Sequence, residues 1–229
     1  MRNPLASLFS EFDEIIVFDI ETSGLDHKKD HIIDFGLISY TSDSDVENYI
    51  INDLVKLPDG RFLPPKITEL TGITDAMLES GIDQYQLFDK IYRAFTTPSR
   101  KLVVAYNAQF DLSFLYQFLK RFNSTKILDE VSFLDPMTIF KDRASYPHRL
   151  INAMNRYLLE DSLENKHRAY DDAKATIEVL KAMADEEDDI INYVNLFGFN
   201  PKYGVNYEPI AKVRYIPQSY YSKEKLYNY

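Results

Sequence analysis

The sequence predicts an α/β fold, a mixed and mostly parallel sheet with helices on its faces, and three observations predict it. Two nearly continuous apolar runs of strand length, Ile15-Ile16-Val17-Phe18-Asp19-Ile20 and Leu102-Val103-Val104-Ala105-Tyr106, are of the kind buried on both faces of a sheet. Strand-like stretches come first, in a hairpin-like group, and then alternate with stretches of helical period. No internal repeat or long low-complexity linker divides the body.

The first strand, Ile15 to Ile20, ends in the turn signal Glu21-Thr22-Ser23-Gly24. Ile32 to Tyr40 and Asn48 to Leu57 are rich in strand formers, and the polar turn Thr41-Ser42-Asp43-Ser44-Asp45 between them suggests an antiparallel meander. Pro64-Pro65 breaks that pattern. Asp83 to Phe95 then places Leu87, Phe88, Ile91 and Phe95 at helical spacing. The second buried strand leads through Asn107, placed to cap, into a helix with Leu112, Leu115, Leu119 and Phe122 on one stripe. Ser132 to Phe140 reads as a further strand, weakened by Pro136, and His148 to Leu159 and Tyr170 to Ala184 read as helices. The acidic run Asp185 to Asp189 precedes a short helix, Ile190 to Phe197, which Gly198 stops. Residues 1–199 form the predicted body, and 200–229 a tyrosine-rich C-terminal extension.

Composition narrows the function classes. The chain has 229 residues, 45% of them hydrophobic, which is enough to bury a core. No apolar run approaches the roughly 18 to 20 residues a spanning helix needs, so no membrane association is expected. Met1 to Ser10 lacks a signal-peptide core, and the absence of cysteine excludes disulfides and thiolate chemistry, so a reducing cytoplasm is the expected location. The net charge of −10 repels a polyanion at long range, which argues against a high-affinity duplex binder. The extension runs the other way, at a net +3 with seven tyrosines. An acidic body still acts on nucleic acid where divalent cations sit between its carboxylates and the phosphates.

Ligands of such sheets gather beyond the carboxyl ends of the strands, so the informative polar groups stand just after apolar runs. Asp19 and Glu21 do, and the period of two points both to one face, where they can share a hard divalent cation. Asp19 is flanked by Phe18 and Ile20, a costly place for an unpaired carboxylate. The second group is Tyr106-Asn107-Ala108-Gln109-Phe110-Asp111, in which Asp111 continues the inward line of Leu115, Phe118 and Phe122. The plain alternative for Asp111 is an acid complementing the helix dipole. The third is His167-Arg168-Ala169-Tyr170-Asp171-Asp172-Ala173, where Ala169 and Ala173 allow close approach of the helix to a strand. For His167 the plain alternative is a surface or capping histidine.

Taken together, Asp19-Ile20-Glu21-Thr22-Ser23-Gly24-Leu25, Asn107-Ala108-Gln109-Phe110-Asp111 and the His167 to Ala173 segment resemble the three motifs of the DEDDh exonuclease family. That family includes the proofreading epsilon subunit of bacterial DNA polymerase III and stand-alone relatives. Leu70-Thr71-Gly72-Ile73-Thr74-Asp75 is similar to a loop found between the first two motifs, and the likeness spans about residues 13–184 in the right order. The resemblance implies a ribonuclease H-like fold with a mixed five-stranded sheet. It also implies 3′ to 5′ exonuclease activity on single-stranded ends with two divalent cations, Mg²⁺ or Mn²⁺. Asp19, Glu21, Asp111 and Asp172 would be the metal carboxylates and His167 the general base. Thr22, Leu25 and Phe110 align with positions that hold the terminal nucleotide. Ser23 stands where threonine is common and Tyr106 where many members have histidine, and neither departure removes a ligand.

The residue types suit that chemistry, since hydrolysing a phosphodiester needs an in-line deprotonated water and charge compensation on both oxygens. The expected product is a nucleoside 5′-monophosphate. The substrate is a single-stranded 3′ end, DNA in the first reading, and short RNA or a catalytically silent adaptor role are the alternatives. Partnership with a DNA polymerase or repair complex is left open by the sequence. Gln84-Tyr85-Gln86-Leu87-Phe88 has the look of a sliding-clamp pentapeptide, but an ordinary buried helix face accounts for it better. The tail tyrosines are expected to cover apolar surface on the body rather than track a strand. His27, His31 and His148 are expected at the surface or as caps.

Overall fold

The computed structural model describes residues 3–42, 44–159, 168–202, 204–205, 210–219 and 224–229, with backbone alone for 44–47. Its strands are β1 (Glu14–Thr22), β2 (Ile32–Thr41), β3 (Ser44–Leu54), β4 (Lys101–Val104), β5 (Ser132–Leu134), β6 (Leu196–Phe199) and β7 (Arg214–Pro217). The helices are α1 (Ala6–Phe9), α2 (Pro65–Thr71), α3 (Asp75–Glu79), α4 (Gln84–Thr96), α5 (Ala108–Arg121), α6 (Pro136–Arg143), α7 (Leu150–Arg156) and α8 (Ala169–Glu186). Five strands form one sheet in the order β3-β2-β1-β4-β5. β1 pairs antiparallel with β2 and parallel with β4, so the sheet is evenly divided between the two senses rather than mostly parallel.

Alternation along β1 divides the core. Ile16, Phe18 and Ile20 face a cluster that includes Leu87 and Ile91 of α4 and Leu112 and Leu115 of α5. Ile15 and Val17 face the other side, against Ile139 of α6, Met154 of α7 and Ile177 and Leu180 of α8. Both faces are therefore covered by helices, as a strand buried on both sides requires. The same period places Asp19 and Glu21 on the α8 face, at the carboxyl end of β1.

Helix α8 lies close over β1 and β2 because its contact residues are small. Ala169 and Ala173 are fully buried. Opposite them stands Gly36 of β2, where a Cβ would land on the Ala169 carbonyl carbon and the Tyr170 nitrogen. Any larger residue at Gly36 would push the first turn of α8, and Asp172 with it, off the sheet.

Several expected elements take another form. The stretch Ser132 to Phe140 is not one strand: β5 stops at Leu134, and α6 begins at Pro136. Asp135 caps that helix, accepting from the Met137 amide at 2.9 Å and the Thr138 hydroxyl at 3.2 Å, and proline costs nothing in a first turn whose N–H has no helical partner. The expected helix Ile190 to Phe197 is a single 3₁₀ turn, Ile190–Tyr193, followed by β6. Asn195 makes the change, with φ 61°, its amide donating to the Phe133 carbonyl at 2.7 Å and its side chain accepting from the Phe133 amide at 2.8 Å. Gly198 is thus a strand residue and not a helix stop, and a Cβ there would meet the Gln218 side chain. Pro65 opens α2 instead of ending order, and α7 is shorter than the expected His148 to Leu159.

The described part of the extension lies on the body. β7 pairs in parallel with β6, and a 3₁₀ turn at Leu226–Asn228 follows. Gln218 Nε2 donates to the Thr138 carbonyl at 2.9 Å and to Asp142 Oδ1 at 2.6 Å, and the Leu226 amide donates to Asp142 Oδ2 at 2.6 Å. Tyr215 stacks edge-on against Phe197, and Tyr227 against Tyr193. Tyr203, Tyr207, Tyr220 and Tyr221 lie outside the described residues. Among the described residues no helix is long and apolar enough to cross a membrane.

Candidate active site

Asp19 and Glu21 of β1 meet Asp172 from the first turn of α8, and one carboxylate oxygen from each lies within 4.8 Å of the others. Asp111 approaches the same strand end from the first turn of α5, 3% exposed, its carboxylate accepting the Ile20 backbone N–H. Asp111 stands outside the 4.8 Å triplet but close enough for its charge to act on Asp19. The first element end thus supplies two acids and the other two supply one each, from helices that pack on opposite faces of the sheet.

The electrostatics of the group are those of a site built for a cation. Burial raises the Asp19 carboxyl well above the usual range, and Asp111, Asp172, Glu21 and Asp34 raise it further. Glu21 is pushed up to about 8 by burial and by Asp172 and Asp34, with Arg168 opposing. Asp111 is raised by burial, against the backbone N–H groups it accepts. Like charges this close cannot all ionise without compensation. Hard oxygen donors in reach of one another are what a divalent cation takes, so the residues present fit such an ion.

The nucleotide-holding residues expected from sequence sit around the same strand end. The Thr22 hydroxyl donates to the Gly24 carbonyl at 2.6 Å. The Ser23 amide donates to the His31 carbonyl at 2.8 Å, and the His31 amide donates to Ser23 Oγ at 2.9 Å, which closes the loop between them. That loop presents Leu25 to solvent, 82% exposed. Phe110 is half-buried, with Phe114 at 5.0 Å between ring centroids. His167 lies outside the described residues.

A cavity of about 410 Å³ opens beside the acids, lined by Asp19, Tyr106, Asn107, Met137, Lys141, Tyr146, His148, Arg149, Leu150 and Asp172. A cavity of about 450 Å³ lies elsewhere, along Phe95 to Ser99 and Lys126 to Val131, and has no such acid cluster. Tyr106 builds the first cavity's wall: its hydroxyl donates to the His148 carbonyl at 3.0 Å. Asn107 occupies the cap position of α5 without a side-chain cap bond. Its φ of 65° lies in the left-handed region that asparagine tolerates, and its amide donates to Asp135 Oδ1 at 2.9 Å.

Asp34, Asp135 and two histidines correct or extend the sequence reading. Asp34 is fully buried opposite Glu21 and accepts from Arg168 Nε at 2.7 Å and from the Ala169 amide at 3.2 Å. Its setting between Ile33 and Phe35 carries the same signal that marked Asp19. Asp135 follows an apolar run, as the other strand-end acids do, but the strand reading of Ser132 to Phe140 hid that position. His31 is buried rather than superficial, with the Arg121 guanidinium 3.1 Å from its Nδ1, and His148 is buried with Nε2 2.9 Å from the Ala144 carbonyl.

The family RNase_T, described as an exonuclease, matches residues 16–180, a stretch that contains all four acids. The chain belongs to this exonuclease family. It is an exonuclease of the 3′ to 5′, DEDDh type, a hydrolase acting on nucleic acid, and the family works with divalent metal ions. The exonuclease is 34% identical over 176 residues to a PolC-type DNA polymerase III of Clostridium perfringens, covering 74% of this chain and 11% of the relative. It therefore spans about a tenth of the length of the PolC-type relatives it matches. The epsilon subunit of DNA polymerase III of Treponema pallidum is 28% identical over 170 residues, with 72% of this chain and 74% of that protein covered. Among solved structures, E. coli Exonuclease I in complex with a dT13 oligonucleotide shares the fold at a TM-score of 0.69 and 20% identity, covering 79% of this chain and 43% of that one.

Proposed function

We propose that this exonuclease removes nucleotides from the 3′ end of single-stranded DNA and releases nucleoside 5′-monophosphates. Asp19, Glu21, Asp111 and Asp172 hold two divalent cations, Mg²⁺ or Mn²⁺, and His167 takes the proton of the attacking water. The observation that carries the reading is the triplet of carboxylates, two of which, Asp19 and Asp172, line the cavity, with Asp111 as a fourth acid beside them. When bound, the cations compensate charge on the attacking and leaving oxygens. Thr22, Leu25 and Phe110 hold the terminal nucleotide, and Leu25 is exposed as a side chain that meets a base should be. The acids repel a strand until they are neutralised, which makes end binding depend on the metal.

The relatives' names support DNA as substrate and association with a DNA polymerase, and a cytoplasmic location goes with that reading. The catalytic domain is residues 1–199 in this reading, with the described part of 200–229 braced on it. The test is degradation of 3′-labelled and 5′-labelled DNA and RNA strands with Mg²⁺ or Mn²⁺ and with excess EDTA. Early release of the 3′ label from DNA, dependent on metal, is the expected result. Robust turnover in EDTA would overturn the metal assignment, and faster loss of RNA than of DNA would overturn the substrate.

A further inference from the structure

Two cationic side chains share the cavity with the acids and are held in no ion pair among the described residues, although the Lys141 charge acts on the buried Asp135. Lys141 on α6 and Arg149, at the start of α7, both line it together with Asp19 and Asp172. Among the described residues neither side chain makes a hydrogen bond or an ion pair. Other basic side chains of this acidic chain are committed: Arg168 to Asp34, Arg143 to Asp189 and Glu186, Arg100 to Asp13, Lys101 to Glu14. A lysine and an arginine outside any ion pair, beside a cluster of carboxylates, are set for an anion that enters the same cavity.

Their backbones are held while their side chains are not. Asp142, next to Lys141, is fixed by Gln218 and by the Leu226 amide. The Arg149 amide donates to Asn152 Oδ1 at 3.2 Å, and the preceding carbonyl accepts from Tyr106. The backbone that carries the two charged side chains is thus tied to the rest of the body. Pre-organisation of this kind lowers the ordering cost of binding.

We infer that Lys141 and Arg149 bind the phosphate next to the scissile one on its 5′ side. The inference rests on the exonuclease reading above. A 3′ end carries no phosphate beyond the bond being cut, so a second phosphate in the cavity belongs to the strand that remains. The acids would hold the cations that compensate charge at the scissile phosphate, which leaves the neighbouring phosphate for the two side chains. Arg149 offers a planar fork and Lys141 a point charge, both suited to phosphate oxygens.

The test uses a DNA strand in which the second linkage from the 3′ end is a neutral methylphosphonate, compared with the all-phosphate strand. The measured quantity is initial release of the terminal nucleotide by the full chain with Mg²⁺. Wild-type protein should lose about 10- to 100-fold in kcat/KM on the neutral linkage, mainly through KM, since a hydrogen bond to a charged group is worth about 1.5 to 3 kcal/mol. In the Lys141→Ala, Arg149→Ala double variant the penalty for the neutral linkage should shrink to less than about 3-fold, while the all-phosphate strand becomes the poor substrate. Lys141→Arg should keep the wild-type penalty. An equal penalty in wild type and double variant, with both proteins melting at the same temperature, would overturn the inference. Wild-type protein that releases no 3′ nucleotide from either strand would overturn the exonuclease reading itself, a separate result.

Discussion

Arg168 Nε lies 2.7 Å from Asp34 Oδ2, joining the residue before helix α8 to the middle of the sheet two positions from Gly36. The Asp34 carboxylate also takes the Ala169 amide, so one fully buried acid fixes both the entry and the first N–H of the helix that carries Asp172.

Arg168→Ala should leave the buried Asp34 with the Ala169 amide but without its counter-charge, a loss of about 1.5 to 3 kcal/mol for hydrogen bonds to a charged group. Urea denaturation at neutral pH would measure it. Exonuclease activity should fall more than stability alone accounts for, because Asp172 loses its fixed approach. A loss of under about 0.5 kcal/mol, the size expected of surface substitutions, would show that the pair adds nothing to the fold.

Asp19→Asn should lower turnover at least about 10³-fold, near 4 kcal/mol of transition-state stabilisation. The folded state should survive or gain stability without metal, since Asp111, Asp172, Glu21 and Asp34 all repel the Asp19 charge. Kinetics and thermal melting on the same preparation separate the two effects. Near-native rates would remove Asp19 from the ligand set.

His167→Ala should retain metal binding and reduce turnover about 10²- to 10⁴-fold, the usual share of a general base. Wild-type rate should rise with pH up to the imidazole pKa, and the variant should lose that limb. An unchanged acidic limb would place the base elsewhere.

His31 predicts acid sensitivity of the fold. Burial, Arg121 and Arg61 lower its imidazole from 6.5 to about 4, with Asp30 opposing. Below pH 6.5 the unfolded chain takes up a proton that the folded one refuses, so stability is full above 6.5 and falls as pH drops towards 4. His31→Gln should flatten the dependence of the urea midpoint on pH across that window. The raised carboxyls of Asp19, Glu21 and Asp111 act in the opposite sense in both proteins, so an identical pH dependence of wild type and His31→Gln would contradict the assignment.

Truncation after Asn200 removes Gln218 and Leu226 from Thr138 and Asp142. Thermal stability should fall, and activity on dinucleotides and long strands should fall together. Unchanged stability with a loss confined to long strands would instead make the extension a strand-binding arm.

The two buried apolar runs and the acids behind them were legible because burial and period act locally: Asp19 and Glu21 share a face by alternation alone. The capping of α6 was not, because Asp135 and Pro136 read as an interruption of a strand until the chain folds back and Asp135 receives the Asn107 amide. β6 was hidden for a similar reason, since Asn195 earns its turn from Phe133, far away in sequence. Asp34 was legible in principle, by the same cost of burying a charge that singled out Asp19. The resemblance supplied Asp111 and His167, for which local spacing alone favoured a dipole partner and a surface or capping histidine.

The brace on α6 has a bearing on biosynthesis. A chain emerges from the ribosome amino end first, and domains fold as they emerge. Thr138 and Asp142 receive their partners from Gln218 and Leu226, more than seventy residues later. The nascent protein can therefore assemble its central sheet while the helix bearing Lys141 still lacks its anchor, and the cavity beside the acids reaches its final shape only after Leu226 has been translated. Premature termination before that point would release a folded sheet with an unfinished wall, a product more exposed to proteases than the complete one.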